Sequence, residues 1–228
     1  AGIHLNTHGT GNATAVNDVS FLFGGGGSTV GGNLSATATT GNMTDNNDGS
    51  VTVAGTSSFT TSANNATITL DDTDHAFTGA VSLNTTGSSA HATVIDTSGL
   101  NLAASTVGGN LIATATTGNM EDSGVLTIAG TSSFTTSANN ATITLNNANA
   151  FTGAVALNTT GSSGNATVVD ASGLNLAAST VGGNLIATAT TGNMEDAGVL
   201  TIAGTSSFTT SATDATITLN NANAFTGA

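Results

Sequence analysis

The sixteen residues VGGNLIATATTGNMED occur at 107–122 and again at 181–196, 74 positions apart. Self-similarity at a long fixed period marks a chain built from stacked units rather than around one closed core. The likeness runs well past those sixteen letters. Residues 102–154 and 176–228 differ at three of 53 positions: Ser123 against Ala197, Asn139 against Thr213, and Asn140 against Asp214. An earlier copy starts near Val30, 77 positions before Val107, and its three extra residues fall in TDNNDGS (44–50) and DDTDHA (71–76). The opening stretch is in phase too, with Ile3 aligned to Val155. The expected organisation is a partial repeat over 1–29, a repeat over 30–106, a second over 107–180 and a partial third over 181–228, all in one continuous array. NAFTGA at the end is in phase with NAFTGA at 149–154. The expected partner is therefore the chain itself, with Ala228 against Ala1 of the next unit, in a longer polypeptide or in a stack of subunits.

Within each repeat the pattern has period two. VLTIAG, ATITLN, GAVALN and GLNLAA alternate apolar with small or polar residues, as strands with one buried face do. Thr, Val and Ile favour that conformation, and Gly and Asn clusters punctuate the runs. The expected fold is all-β: a single-stranded parallel β-helix, or β-solenoid. A sub-period of 17 links Leu126 to Ile143, and Phe134 to Phe151, Val168 and Leu185. With one longer step of 23, this predicts about four coils per 74-residue repeat, each 17–23 positions long, with Phe134 stacked on Phe151. Three longer coils per repeat fit the same length. Twelve or so coils at the ~4.8 Å strand spacing make a rod of about 55–60 Å.

The composition agrees with such a stack. Proline removes a ladder donor, and the chain has none. Identical charges repeated every coil repel, and only 6% of the residues are charged. There are 11 Asp, 2 Glu and no Lys or Arg, for a formal charge of −13. Nucleic-acid binding needs cations against phosphate, so no nucleic-acid partner is expected. No run approaches the ~20 apolar residues of a membrane-spanning helix, and no membrane insertion is expected. Cysteine is absent, which excludes a disulfide framework.

The stretch GNLIATATTGNMEDSGVLTIAGTSSFTTSANNATITLNNANAFTGAVALN resembles the repeats of giant bacterial filamentous-haemagglutinin-like surface proteins. The resemblance lies in GNL.ATATTGN, G.LTIAGTSSF and ANNATITLNNANAFTGAV and covers essentially all of 1–228. It implies a right-handed parallel β-helix, secretion to the cell surface, and a role as adhesin stalk or fibre. The family's secretion-domain motif is not among these residues.

Sites are sparse. Asp45 and Asp48 lie in one acidic turn and Asp71, Asp72 and Asp74 in the next; Asp48 and Asp71 are 23 apart. On adjacent coils they would offer hard oxygen ligands to Ca²⁺, the one cofactor the sequence suggests; solvated turn carboxylates are the simpler explanation, because the spacing matches a Ca²⁺ loop only loosely. Glu121–Asp122 and Glu195–Asp196 are neighbours on strands and point to opposite faces. They therefore form no catalytic pair. His4, His8, His75 and His91 share no metal-ligand spacing. A polysaccharide-cleaving β-helix would need a clustered acid, base and cation. The expectation is a non-enzyme with no catalytic residues. Thr-x-Thr units, with Thr127 over Thr144 at a spacing of 17, raise an ice-binding alternative. Eight Asn-x-Ser/Thr triplets begin at Asn12, Asn33, Asn42, Asn65, Asn84, Asn140, Asn158 and Asn165. The reading is an extracellular structural repeat unit of a filament or giant adhesin.

Overall fold

Alternation decides which side chains go inside. In Leu111–Ala115 (LIATA), Leu111, Ala113 and Ala115 are buried while Ile112 and Thr114 face outward. The same in–out rhythm recurs in nearly every strand. A computed structural model describes residues 2–46 and 49–227 and contains 28 short strands and no helix. All of the pairings between strands are parallel. Away from the ends, most strands pair with one strand in the coil below and one in the coil above. Ten strands follow one another this way up each of two sides, so the chain is a parallel β-solenoid of about ten turns. At ~4.8 Å per coil the stack is about 48 Å tall.

The register corrects the 17-residue coil. Leu111 pairs with Ser132, Ser132 with Val155, and Val155 with Leu176. Coil steps range from 19 positions (Ala92 to Leu111) to 25 (Met43 to Ile68). Phe134 therefore lies between Ala113 and Leu157 in the ladder, not beneath Phe151. The two rings do meet, edge to face at 5.8 Å, because the chain between them runs most of the way round the coil to another wall of the same core. Leu126 pairs with Ser105 and Thr127 with Thr106 and Ala150, so neither sits under Ile143 or Thr144. Asn158 pairs with Thr180, 22 positions on.

The repeat and the coil are incommensurate. Leu111 belongs to the 13-stranded sheet, yet its copy one repeat later, Leu185, belongs to the 12-stranded sheet across the core. Three coil steps from Leu111 reach Leu176, and Leu185 lies half a turn further. Each 74-residue repeat is thus three and a half turns, not four, and successive repeats face opposite ways. Phe59, Phe134 and Phe208 alternate between the two sheets in the same manner.

The interior is one continuous apolar column. At its corners small residues let backbones touch. Gly109, Gly130 and Gly153 stack directly; a Cβ on Gly130 would lie 2.6 Å from the Gly109 carbonyl. Asparagines finish the corners. Asn110 Oδ1 accepts the Thr131 amide at 2.9 Å, and Asn119 Oδ1 accepts the Thr142 amide at 2.9 Å. Seven of the eight triplet asparagines do the same for the next coil; Asn84 is the exception. The triplets thus have a structural cause: seven of the eight Asn side chains bridge one coil to the next.

Candidate functional site

The acidic turns lead to a polar latch that occurs three times. In the second repeat Asp122, at the end of Met120–Asp122, is buried while its neighbour Glu121 is exposed. One Asp122 oxygen accepts the Asn146 amide at 3.0 Å. The other accepts the Asn147 amide at 3.3 Å and Asn149 Nδ2 at 2.7 Å. Asn149 is fully buried, and its Oδ1 accepts the Leu126 amide at 2.8 Å. The carboxylate ties one coil to the turn of the next, and the Asn carboxamide closes the turn between the two short strands beside it. The third repeat copies this with Asp196, Asn220, Asn221 and Asn223. Burial pushes the Asp196 carboxyl up, but the hydrogen bonds from Asn223 and from the Asn220 and Asn221 amides outweigh it and leave it lowered.

The first repeat substitutes a histidine. His75 takes the place of Asn149 and is fully buried. Its Nδ1 accepts the Val51 amide at 2.9 Å, so the ring proton sits on Nε2, which donates to Asp45 Oδ2 at 2.5 Å. The same oxygen accepts the Asp72 amide at 2.9 Å. The ring stacks on Phe77, with centroids 5.6 Å apart. Burial raises the Asp45 carboxyl, but the His75 and Asp72 hydrogen bonds prevail and it ends lowered; burial and the charge of Asp45 raise Asp71. His91 is likewise an asparagine substitute: its Nδ1 accepts the Asn110 amide at 2.9 Å, as Asn165 Oδ1 accepts the Asn184 amide.

Of the five Ca²⁺ candidates, Asp45 is turned inward onto His75. The Asp72 side chain accepts the Asp74 amide at 2.9 Å, and Asp71 and Asp74 are exposed. Asp48 lies outside the described residues. Among the described residues no group of three or more His, Asp or Glu side chains is arranged to hold a metal ion. Two buried carboxyls were not anticipated. Asp96 and Asp170 end equivalent strands and each accepts the amide and hydroxyl of a serine two residues on, Ser98 and Ser172. Burial pushes both up despite those bonds.

Two shallow clefts open on the surface. One, of about 260 Å³, is lined by Gly99, Leu100, Asn101 and Glu121 among others. The other, of about 210 Å³, is its counterpart with Gly173, Leu174, Asn175 and Glu195. Glu121 lines the first and Glu195 the second, and the half-turn repeat puts them on opposite sides. Among the described residues no helix is long and apolar enough to cross a membrane.

No curated protein and no solved structure matches the chain. A repeat family, described as repeats of unknown function (DUF5649), matches residues 8–84, 89–158 and 163–228. The chain belongs to that family.

Proposed function

We propose that this member of the repeat family is a non-catalytic structural segment of an extracellular filament or giant cell-surface adhesin. The observation that supports this most is the continuous parallel ladder, which runs through ten strands on each of two sides. Every repeat adds three and a half turns to one column, so length is proportional to repeat number, as in other linear repeat architectures. Polar side chains inside the column, Asp122 and Asn149 among them, tie one coil to the next. The uppermost described coil leaves Ile217 and Phe225 half exposed and its strand edges unpaired above. Open strand edges recruit further strands, which supports growth of the column by head-to-tail stacking of coils.

The test is to insert further 74-residue units and measure length by small-angle scattering or electron microscopy. Each unit should lengthen the rod by about 17 Å, three and a half turns at ~4.8 Å, with no change in thickness. Labelling of intact producing cells with an antibody to the repeats tests the location. A globular particle that swells in all directions, or repeats found only inside the cell, would overturn the reading.

A further inference from the structure

Two positions near the end of the first repeat carry imidazole where the other copies carry a carboxamide. DHAFTGA (74–80) against ANAFTGA (148–154) sets His75 against Asn149, and Asn223 follows 74 positions later. The residue before Ala-Thr is Asn12, then His91, then Asn165. All six side chains do the same work: each accepts one backbone amide from 19 to 24 positions away. Asn149 and Asn223 take the Leu126 and Leu200 amides on Oδ1, and Asn12 and Asn165 take the Asn33 and Asn184 amides, each at 2.8 Å. The imidazoles use Nδ1: His75 takes the Val51 amide and His91 the Asn110 amide, each at 2.9 Å. A carboxamide oxygen accepts at any physiological pH. A protonated imidazole carries N–H on both nitrogens and accepts nothing, and histidine is the side chain whose charge changes between about pH 5 and 8.

We propose that these two imidazoles make the stretch from Val51 to Asn110 an acid-releasable segment of the rod, while the coils closed by asparagine stay shut. The two sites lose the same kind of bond by different routes. His75 is fully buried, and its Nε2 donates to Asp45 Oδ2 at 2.5 Å. Among the described residues the charged groups around it are all carboxylates: Asp45 in contact, Asp71 and Asp96 near enough to feel its charge, and Asp72 and Asp74 in the turn just before it. Protonation strengthens the bond to Asp45, because a charged donor then meets a charged acceptor. The ring is held in place with its new Nδ1 proton against the Val51 amide, two donors face to face. The amide is the part that lets go, at the first residue of Val51–Val53. His91 is exposed and, among the described residues, has no carboxylate within ion-pair distance. Its charge is hydrated by solvent, and the Asn110 amide loses its acceptor at the corner before Leu111–Ala115. The release is a property of the coils themselves and holds whether or not they build a filament.

The experiment is amide hydrogen exchange by NMR on the full chain at about pH 7.5 and about pH 5, on either side of the histidine range, with each rate corrected for the pH dependence of intrinsic exchange. Protection at the Val51 and Asn110 amides should fall at least ~tenfold at the lower pH, while Leu126, Leu200, Asn33 and Asn184 keep theirs within about twofold. His75→Asn should make Val51 protection independent of pH and leave Asn110 responsive, and His91→Asn should do the converse. Circular dichroism checks that each variant is folded, and the comparison between copies in the unaltered chain decides the matter if a variant misfolds. Equal protection at both pH values would overturn the proposal. So would equal losses at Leu126 and Asn184, or a loss at Val51 that survives His75→Asn, which would assign the effect to the surrounding carboxyls.

Discussion

Asp122 offers the sharpest perturbation of the latch. Its carboxylate receives three donors: two backbone amides from the next coil and the carboxamide of the fully buried Asn149. Asp122→Ala removes the acceptor and leaves those donors inside. An orphaned buried donor costs about 1–3 kcal/mol. With the longest of the three bonds discounted, the expected loss is about 3–5 kcal/mol. Asp122→Asn keeps the shape and can still accept from the backbone, but it turns an amide toward the Asn149 amide. The expected loss is about 1.5–3 kcal/mol. Exchanging the two, Asp122→Asn with Asn149→Asp, restores donor against acceptor, and residue 149 still accepts the Leu126 amide. The double variant should recover most of that loss. Asn149→His copies the ring of the first repeat but enters a fully buried site in a turn one residue shorter, and should cost about 1–3 kcal/mol by overpacking. The assay is urea unfolding by far-ultraviolet circular dichroism, with hydrogen exchange at the Leu126 amide as the local readout, because stacked repeats open locally. If Asp122→Asn is as damaging as Asp122→Ala and the exchange rescues nothing, the latch is not held by this pattern of donors and acceptors.

Other outcomes follow from the same geometry. Phe134→Ala empties a fully buried position that meets Phe151 edge to face and should cost about 3–5 kcal/mol in urea unfolding. Gly130→Ala puts a methyl 2.6 Å from the Gly109 carbonyl, and thermal unfolding should show a loss of at least ~1 kcal/mol as the coils are pushed apart. The pH dependence has two opposed parts. Asp96 and Asp170 are raised by burial, so they favour the folded state most below the unfolded value of about 3.9, and that contribution is lost as pH rises through their folded values. Asp45 and Asp196 are lowered, so theirs is present above about 3.9 and lost as pH falls through the folded values. Asp170→Asn should therefore gain stability relative to the parent as pH rises from 4 to 7, read by thermal melts at each pH; a difference independent of pH would contradict the assignment.

The strands and the solenoid were legible because alternation in LIATA, MED and LTI records directly which side chains go inward. The coil length was not. Phe134 and Phe151 recur at 17 and do touch, but contact across a core and stacking along an axis leave the same mark in a sequence. The better indicator was Leu111, Ser132 and Val155, whose differing residue types hide a common column. The half-turn offset was invisible for a related reason: identical letters suggest identical surroundings, and only strand pairing shows that Leu111 and Leu185 line opposite walls. The acidic turns pointed outward to a cation by composition. Comparing DDTDHAF with LNNANAF would have set His75 against Asn149 and exposed a substituted latch. Asp96 and Asp170 gave no signal, since a buried carboxyl answered by a nearby serine looks like any strand-ending turn.

The coil register carries the whole architecture and is open to a direct check, because the chain has no cysteine of its own. Ser133 and Ala156 face outward as ladder partners, and neighbouring parallel strands at ~4.8 Å lie within reach of a disulfide. The measurement is mild oxidation of the Ser133→Cys/Ala156→Cys variant, with Ser133→Cys/Ala150→Cys, 17 apart, as comparison. Rapid intramolecular cross-linking of the first pair and none of the second is the expected result. Cross-linking at the 17-residue spacing instead would contradict the register, the three-and-a-half-turn repeat and the alternating faces together.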